Sequence, residues 1–162
     1  KGFNASQIRD IHRSLCSSQS GKRFFTTEWE VLRDREYLWI QKKGSSQLIP
    51  ELIMEEVERT PSFVIPRDKH IACLDADKLN HPLTIRKWER GDKFIPLGMN
   101  GKKKVSDYLT DKKYSLFQKE NQYVVCSGEE IVWLVNERTD HRYRITDSTQ
   151  RILLIKIKKD GQ

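Results

Sequence analysis

From residue 122 onward, four short runs at 122–126, 131–135, 142–146 and 151–157 alternate with turn formers such as Ser127-Gly128. Each is rich in β-branched or aromatic residues and too short for an ordinary helix, so each reads as a strand. Upstream, residues 70–74 and 83–88 read as two more strands around an Asp75-Ala76-Asp77 turn. Between these groups lies a stretch punctuated by Gly91, Pro96, Gly98 and Gly101, which reads as a structured loop. A short helix is predicted over 105–113, with Ser106 as its cap, Asp107 in its first turn and Lys112 and Lys113 at its end. Ser115 and Gln118 have capping-box spacing and open another.

The N-terminal part reads differently. Asn4 and Gln7 stand at the two positions of a capping box, Phe3 and Ile8 at those of a hydrophobic staple, and Ile8, Ile11 and Leu15 on one face of a helix over 3–16. A break at 17–21 leads into an alternating strand at 25–32, a turn at 33–36 and a second run at 37–40, the pattern of a hairpin. A turn is expected at 44–46. Pro50, Pro61 and Pro66 forbid a long regular element, and 52–57 reads either as a strand or as one helical turn. The expected class is α+β, with a small helix-and-hairpin domain at 1–70 and a second domain at 71–162; the boundary falls near 66–80.

Composition narrows the classes of function. No run approaches the ~18 apolar residues of a membrane-spanning helix. The chain starts at Lys1 without a secretory leader and reads as a piece of something longer. Cys16, Cys73 and Cys126 are an odd, widely spaced set, which fits a reducing, cytoplasmic setting rather than a disulfide framework. Net charge is +7, and its location matters more than its total. Residues 1–84 hold 13 basic and 12 acidic side chains and residues 120–162 hold 7 and 7, whereas residues 85–119 hold 10 and 4. The basicity is therefore local.

That local charge sits on a loop and helix start, Gly98-Met99-Asn100-Gly101-Lys102-Lys103-Lys104-Val105-Ser106-Asp107. Glycines admit close approach of backbone amides, a helix start carries partial positive charge, and three lysines add full charges, so phosphate is the natural ligand. The alternative is that the glycines serve turns and the lysines keep an exposed loop soluble. The spacing is not a Walker A loop. Trp88 and Phe94 flank the segment and read as core residues rather than stacking platforms. His12, His70, His81 and His141 lack metal-ligand spacing, and the pairs Asp75/Asp77, Asp107/Asp111 and Glu129/Glu130 are explained by capping, pairing or solvation, so neither a metal site nor a catalytic constellation is expected.

The run from Leu83 to Met99 contains R-x-W-x-x-G-D-x-F-x-P-L-G-M, and it continues through Gly101, Lys103, Lys104, Val105, Ser106, Asp107, Asp111 and Lys113. It closely resembles the C-terminal domain of bacterial tRNA(Ile)-lysidine synthetases. Ile131-Val132-Trp133, Arg138, Asp140, Arg142 and Thr146 match that domain's second motif, with Asn136-Glu137 where a glycine-containing turn is expected. The resemblance covers roughly 75–157, and 1–70 looks like the domain that precedes it in longer family members. It implies a β-rich sandwich with short helices, related to a domain of the phenylalanyl-tRNA synthetase β-subunit. It also implies a parent ligase that uses ATP and magnesium to adenylate the wobble cytidine of tRNA(Ile) and joins lysine to it. The family's Ser-Gly-Gly-x-Asp-Ser adenylating motif belongs to an N-terminal catalytic domain and is absent from this sequence, and Ser20-Gly21-Lys22 is no substitute. No cofactor and no catalytic residue is expected in this chain.

The resemblance makes the implied partners tRNA(Ile), through its acceptor stem, and the parent's own catalytic domain. No membrane is implied, and a homodimer is one assembly the parent could form. The expected nucleic-acid contacts are Arg86, Arg90, Lys93, Lys102, Lys103, Lys104, Lys112, Lys113, Arg138 and Arg142. An A-form stem hides its base edges in a deep major groove, so shape, 2′-hydroxyls and phosphates would be read. About six phosphate contacts would give a slope of log K against log[salt] near −5. The rival reading is an interaction or scaffold module that positions the catalytic domain or mediates dimerisation without touching RNA.

Overall fold

The computed structural model describes residues 2–17, 19–44 and 49–158. The chain divides into two compact units, 1–48 with 114–120, and 49–113 with 121–162.

In the first unit, helix α1 (Ala5–Leu15) starts as its sequence predicts. The Asn4 side chain accepts the Gln7 amide at 2.8 Å, and Gln7 Oε1 accepts the Asn4 amide at 3.1 Å. Strands β1 (Lys22–Phe25), β2 (Trp29–Asp34) and β3 (Tyr37–Lys42) form an antiparallel meander in the order β1-β2-β3. The single strand expected at 25–32 is thus two strands, because Thr26 Oγ1 accepts the Trp29 amide at 2.9 Å and closes a tight turn between them. Of the predicted apolar face of α1, Ile8 and Leu15 stay about half exposed. Residues 45 and 46 of the turn expected at 44–46, and residue 18 of the 17–21 break, lie outside the described residues. Helix α3 (Leu116–Glu120) completes the unit: Ser115 Oγ and Gln118 Oε1 exchange backbone hydrogen bonds as a capping box, and the Leu116 amide donates to Asp34 Oδ2.

The second unit is a sandwich. One sheet has the order β11-β10-β9-β6, from β6 (Leu83–Lys87), β9 (Tyr123–Ser127), β10 (Glu130–Leu134) and β11 (Arg138–Thr139). The other has the order β4-β12-β5, from β4 (Leu52–Glu58), β5 (Ile71–Asp75) and β12 (Arg151–Ile157). Residues 52–57 are therefore strand, paired along their whole length with β12. Ala72, Leu74, Leu153 and Ile155 from one sheet and Tyr123, Val125, Val132 and Trp133 from the other form a single core, the burial that drives two amphipathic sheets together. A bulge between Ile131 and Trp133 lets the consecutive Val132 and Trp133 both be buried and leaves the Val132 carbonyl to accept the Asp140 amide at 2.9 Å.

Residues 142–146, expected as a strand, are not one. Asp140 Oδ1 accepts the Arg142 amide at 2.9 Å, and this side-chain turn sets a 3-10 helix at His141–Tyr143 instead. Asn136, where a glycine turn is expected, adopts φ 60° itself, a region that Asn tolerates better than most side chains.

Candidate nucleic-acid interface

The basic segment folds onto the sandwich as a two-stranded ribbon, β7 (Lys93–Phe94) against β8 (Lys103–Lys104), running directly into helix α2 (Val105–Asp111). The register pairs Lys93 with Lys104 and Phe94 with Lys103. Directly paired residues share a face of the ribbon, so the pairing sorts the lysines. Phe94 is fully buried and meets the Tyr108 ring edge-on, with centroids 5.4 Å apart. Lys103 follows it inward: its Nζ lies 2.5 Å from Asp111 Oδ2 and 5.9 Å from the Tyr108 ring centre. Lys93 and Lys104 take the outer face and are exposed.

The helix start differs from its sequence expectation. Lys104, not Ser106, is the N-cap, with extended backbone and no side-chain cap, because the strand passes straight into the helix. Ser106 lies inside the first turn and its hydroxyl donates to Asp107 Oδ1 at 3.2 Å. The Val105 amide donates to the Asp92 carbonyl, the Gly98 amide to His141 Nδ1 and the Met99 amide to the Pro96 carbonyl. Gly98 has φ 88°, which requires its lack of a Cβ, whereas Gly101 lies in open space without a positive φ. The loop therefore offers side-chain charge, with these three amides already engaged.

Two of the expected arginines are held by carboxylates. Arg86 makes a two-pronged pair with Asp92, at 2.8 and 3.0 Å. That hydrogen bonding raises the guanidinium pKa above its ordinary value. Burial pushes the Asp92 carboxyl up, but Arg86 and the Glu89 amide more than offset this and hold it below the usual carboxylate range. Arg142 donates from Nε and Nη2 to the fully buried Asp140, each at 2.9 Å, and from Nη1 to Glu130 at 2.8 Å, which raises its pKa. Asp140 Oδ2 also accepts the Ile95 amide at 2.8 Å, so this one carboxylate joins the turn after β11 to the strand that presents Lys93.

Among the remaining expected contacts, Arg90 and Lys102 are exposed and, with Lys93 and Lys104, have no side-chain hydrogen bond or ion pair among the described residues. Lys112 lies 5.8 Å over the Tyr108 ring, Lys113 follows it at φ 60°, and Arg138 donates to the Leu97 carbonyl at 3.0 Å. Phe94 is core as expected, and Trp88 is half-buried beyond the end of β6. The anchoring roles of Asp92 and Asp140 are the part that sequence reasoning missed. Their signal was an acidic residue inside each of the two motifs, six and two residues from the arginine it holds.

The fold also has a solved counterpart. A crystal structure described as the TilS C-terminal domain superimposes with a TM-score of 0.58 at 19% identity, covering 68% of this chain and 85% of that one, a likeness of fold. In sequence, residues 1–43 match the family description "TilS substrate binding domain" and residues 83–155 match "TilS substrate C-terminal domain". The tRNA(Ile)-lysidine synthase of Bacteroides thetaiotaomicron is 54% identical over 159 residues, covering 96% of this chain and 37% of the relative. That of Parabacteroides distasonis is 42% identical over 168 residues, covering 95% and 38%. The chain belongs to the tRNA(Ile)-lysidine synthase family, to its substrate-binding and C-terminal domains. It spans a little over a third of the length of the curated relatives it matches.

Proposed function

We propose that this chain is the tRNA-recognising region of a tRNA(Ile)-lysidine synthase, gripping the acceptor stem through the outer face of the β7–β8 ribbon. The observation that carries the reading is the Lys93–Lys104 pair: two exposed cations directly opposite on a ladder, with no carboxylate between them. In water their repulsion is no more than about 1 kcal/mol even at 4 Å, so the fold tolerates it, and a phosphate placed between them turns it into attraction. Arg90 and Lys102 extend the same charge, and Lys112, Lys113 and Arg138 flank it. Arg86, Lys103 and Arg142 act as positioning residues, because carboxylates already occupy their charged heads.

The second unit, 49–113 with 121–162, then forms the tRNA-binding domain, and the first, 1–48 with 114–120, a substrate-recognising, linking domain. The parent uses ATP and magnesium in an N-terminal catalytic domain to join lysine to the wobble cytidine of tRNA(Ile). Its setting is the cytoplasm.

The test is the salt dependence of binding to a tRNA(Ile) transcript. Four phosphate contacts, from Arg90, Lys93, Lys102 and Lys104, give a slope near −4 by the duplex rule, shallower than six contacts would give. A slope near zero, or no binding with Lys93 and Lys104 intact, overturns the reading in favour of a scaffold role.

A further inference from the structure

We propose that the cleft between the 65–73 segment and the β10–β11 hairpin holds one unpaired nucleotide of the bound RNA. The inference rests on the reading of this unit as an RNA-binding surface, and adds a site to it. The cleft has a volume of about 330 Å³, at the small end of ligand-binding cavities. That is room for a single base and its sugar rather than for a helix or a strand of polypeptide.

Its lining has the two halves such a ligand needs. Ile71, Leu97, Cys73 and the edge of the almost wholly buried Trp133 give an apolar floor for the face of a base. Burial in this floor pushes the Cys73 thiol up to about 11. The rim is charged, and most of its charge is already spent internally: Lys69 pairs with Glu137 at 3.2 Å, and Asp68 Oδ1 accepts the His70 amide at 2.9 Å. What stays available is Arg67, exposed and without a side-chain partner among the described residues; the exposed Arg138, which donates to the Leu97 carbonyl, lines the same cleft. The lining cations Arg67, Lys69 and Arg138 outnumber the carboxylates Asp68 and Glu137 by one, which matches the single charge of a phosphodiester. Planar guanidinium groups are suited to that anion.

Position joins the cleft to the ribbon. Leu97, in its wall, is four residues from Lys93, so the two lie at most about 14 Å apart along the chain. Arg138 donates to the Leu97 carbonyl, and His141 accepts the amide of Gly98 next to it, so β11 and the turn after it fix the wall they share. A backbone held at Lys93 and Lys104 would therefore have an unpaired neighbour within reach of the cleft.

The experiment is amide NMR of this chain with three probes: adenosine and cytidine 5′-monophosphates, inorganic phosphate, and a blunt RNA duplex. The nucleotides should give saturable shifts at Ile71, Cys73, Leu97 and Thr139 that inorganic phosphate reproduces at least fivefold more weakly. Arg67→Ala and Leu97→Ala should each weaken nucleotide binding about fivefold, with resonances distant from the cleft unmoved as the check on folding. Nucleotide shifts confined to the Lys93–Lys104 ribbon, or a cleft response equal for phosphate and nucleotide, overturn the proposal. Duplex binding at the ribbon with a cleft silent to both mononucleotides sinks the cleft alone. A duplex that shifts nothing sinks the stem reading, and with it the assignment of RNA as the source of the nucleotide.

Discussion

Lys93 and Lys104 face one another across the two-residue ladder of β7 and β8, while their neighbours Phe94 and Lys103 turn inward onto Tyr108. The run of three lysines is thus divided by the pleat of a strand into residues of unequal role.

The division predicts unequal mutants. Replacing Lys93 and Lys104 together by Ala should reduce the magnitude of the salt slope for tRNA binding by about 2. Lys103→Ala should change it by less than half of one contact, since its ammonium is committed to Asp111. Filter binding or fluorescence anisotropy across a salt series distinguishes the two.

Arg86 and Asp92 should act on stability. Their pair is partly exposed, with side-chain exposures of 35% and 15%, so Asp92→Asn should cost only about 1 kcal/mol at neutral pH. The Asp92 carboxyl titrates lower in the folded chain than in the unfolded one, so the unfolded chain binds more protons. The pair's contribution is complete above the unfolded value near ~4 and disappears as pH falls through the lower folded value. Urea midpoints of wild type and Asp92→Asn should therefore converge at strongly acidic pH.

Asp140→Ala should be more damaging, about 3 kcal/mol by urea denaturation, because it strips the Ile95 amide and Arg142 of a fully buried acceptor at once. It should also broaden the amide signals of Gly98 and Met99, whose loop is held by the residues that follow Asp140.

At Asn136 the backbone has φ 60°, and the side chain meets His70 Nδ1 at 3.0 Å. Asn136→Ala should cost about 1–2 kcal/mol, from the left-handed backbone and the lost bond together. Asn136→Gly should recover much of that, since glycine removes the first term.

Residue types alone made much of this molecule legible. The capping boxes at Asn4 and Ser115, the closing strand at 151–157 and the burial of Phe94 follow from spacing and apolarity, which are local properties. Thr26, Ser106 and Asp140 were harder, because each can hydrogen-bond to neighbouring backbone in more than one way, and tertiary context chose among them. The sorting of the lysines was out of reach for a related reason. Periodicity says that Lys102 and Lys104 oppose Lys103, but only the pairing with Phe94, anchored by Tyr108, says which side is inside. The commitment of Arg86 and Arg142 likewise depends on turns that bring Asp92 and Asp140 back to them.

Residues 114–120 sit, in chain order, in the middle of the second unit's sequence, yet they donate to Asp34 and carry Glu120 to Arg23 within the first. Neither unit can be excised with a single pair of scissors: a fragment ending at residue 48 would lack helix α3, and one starting at 49 would carry it stranded. Anyone wishing to study either half alone must graft or bypass this short excursion.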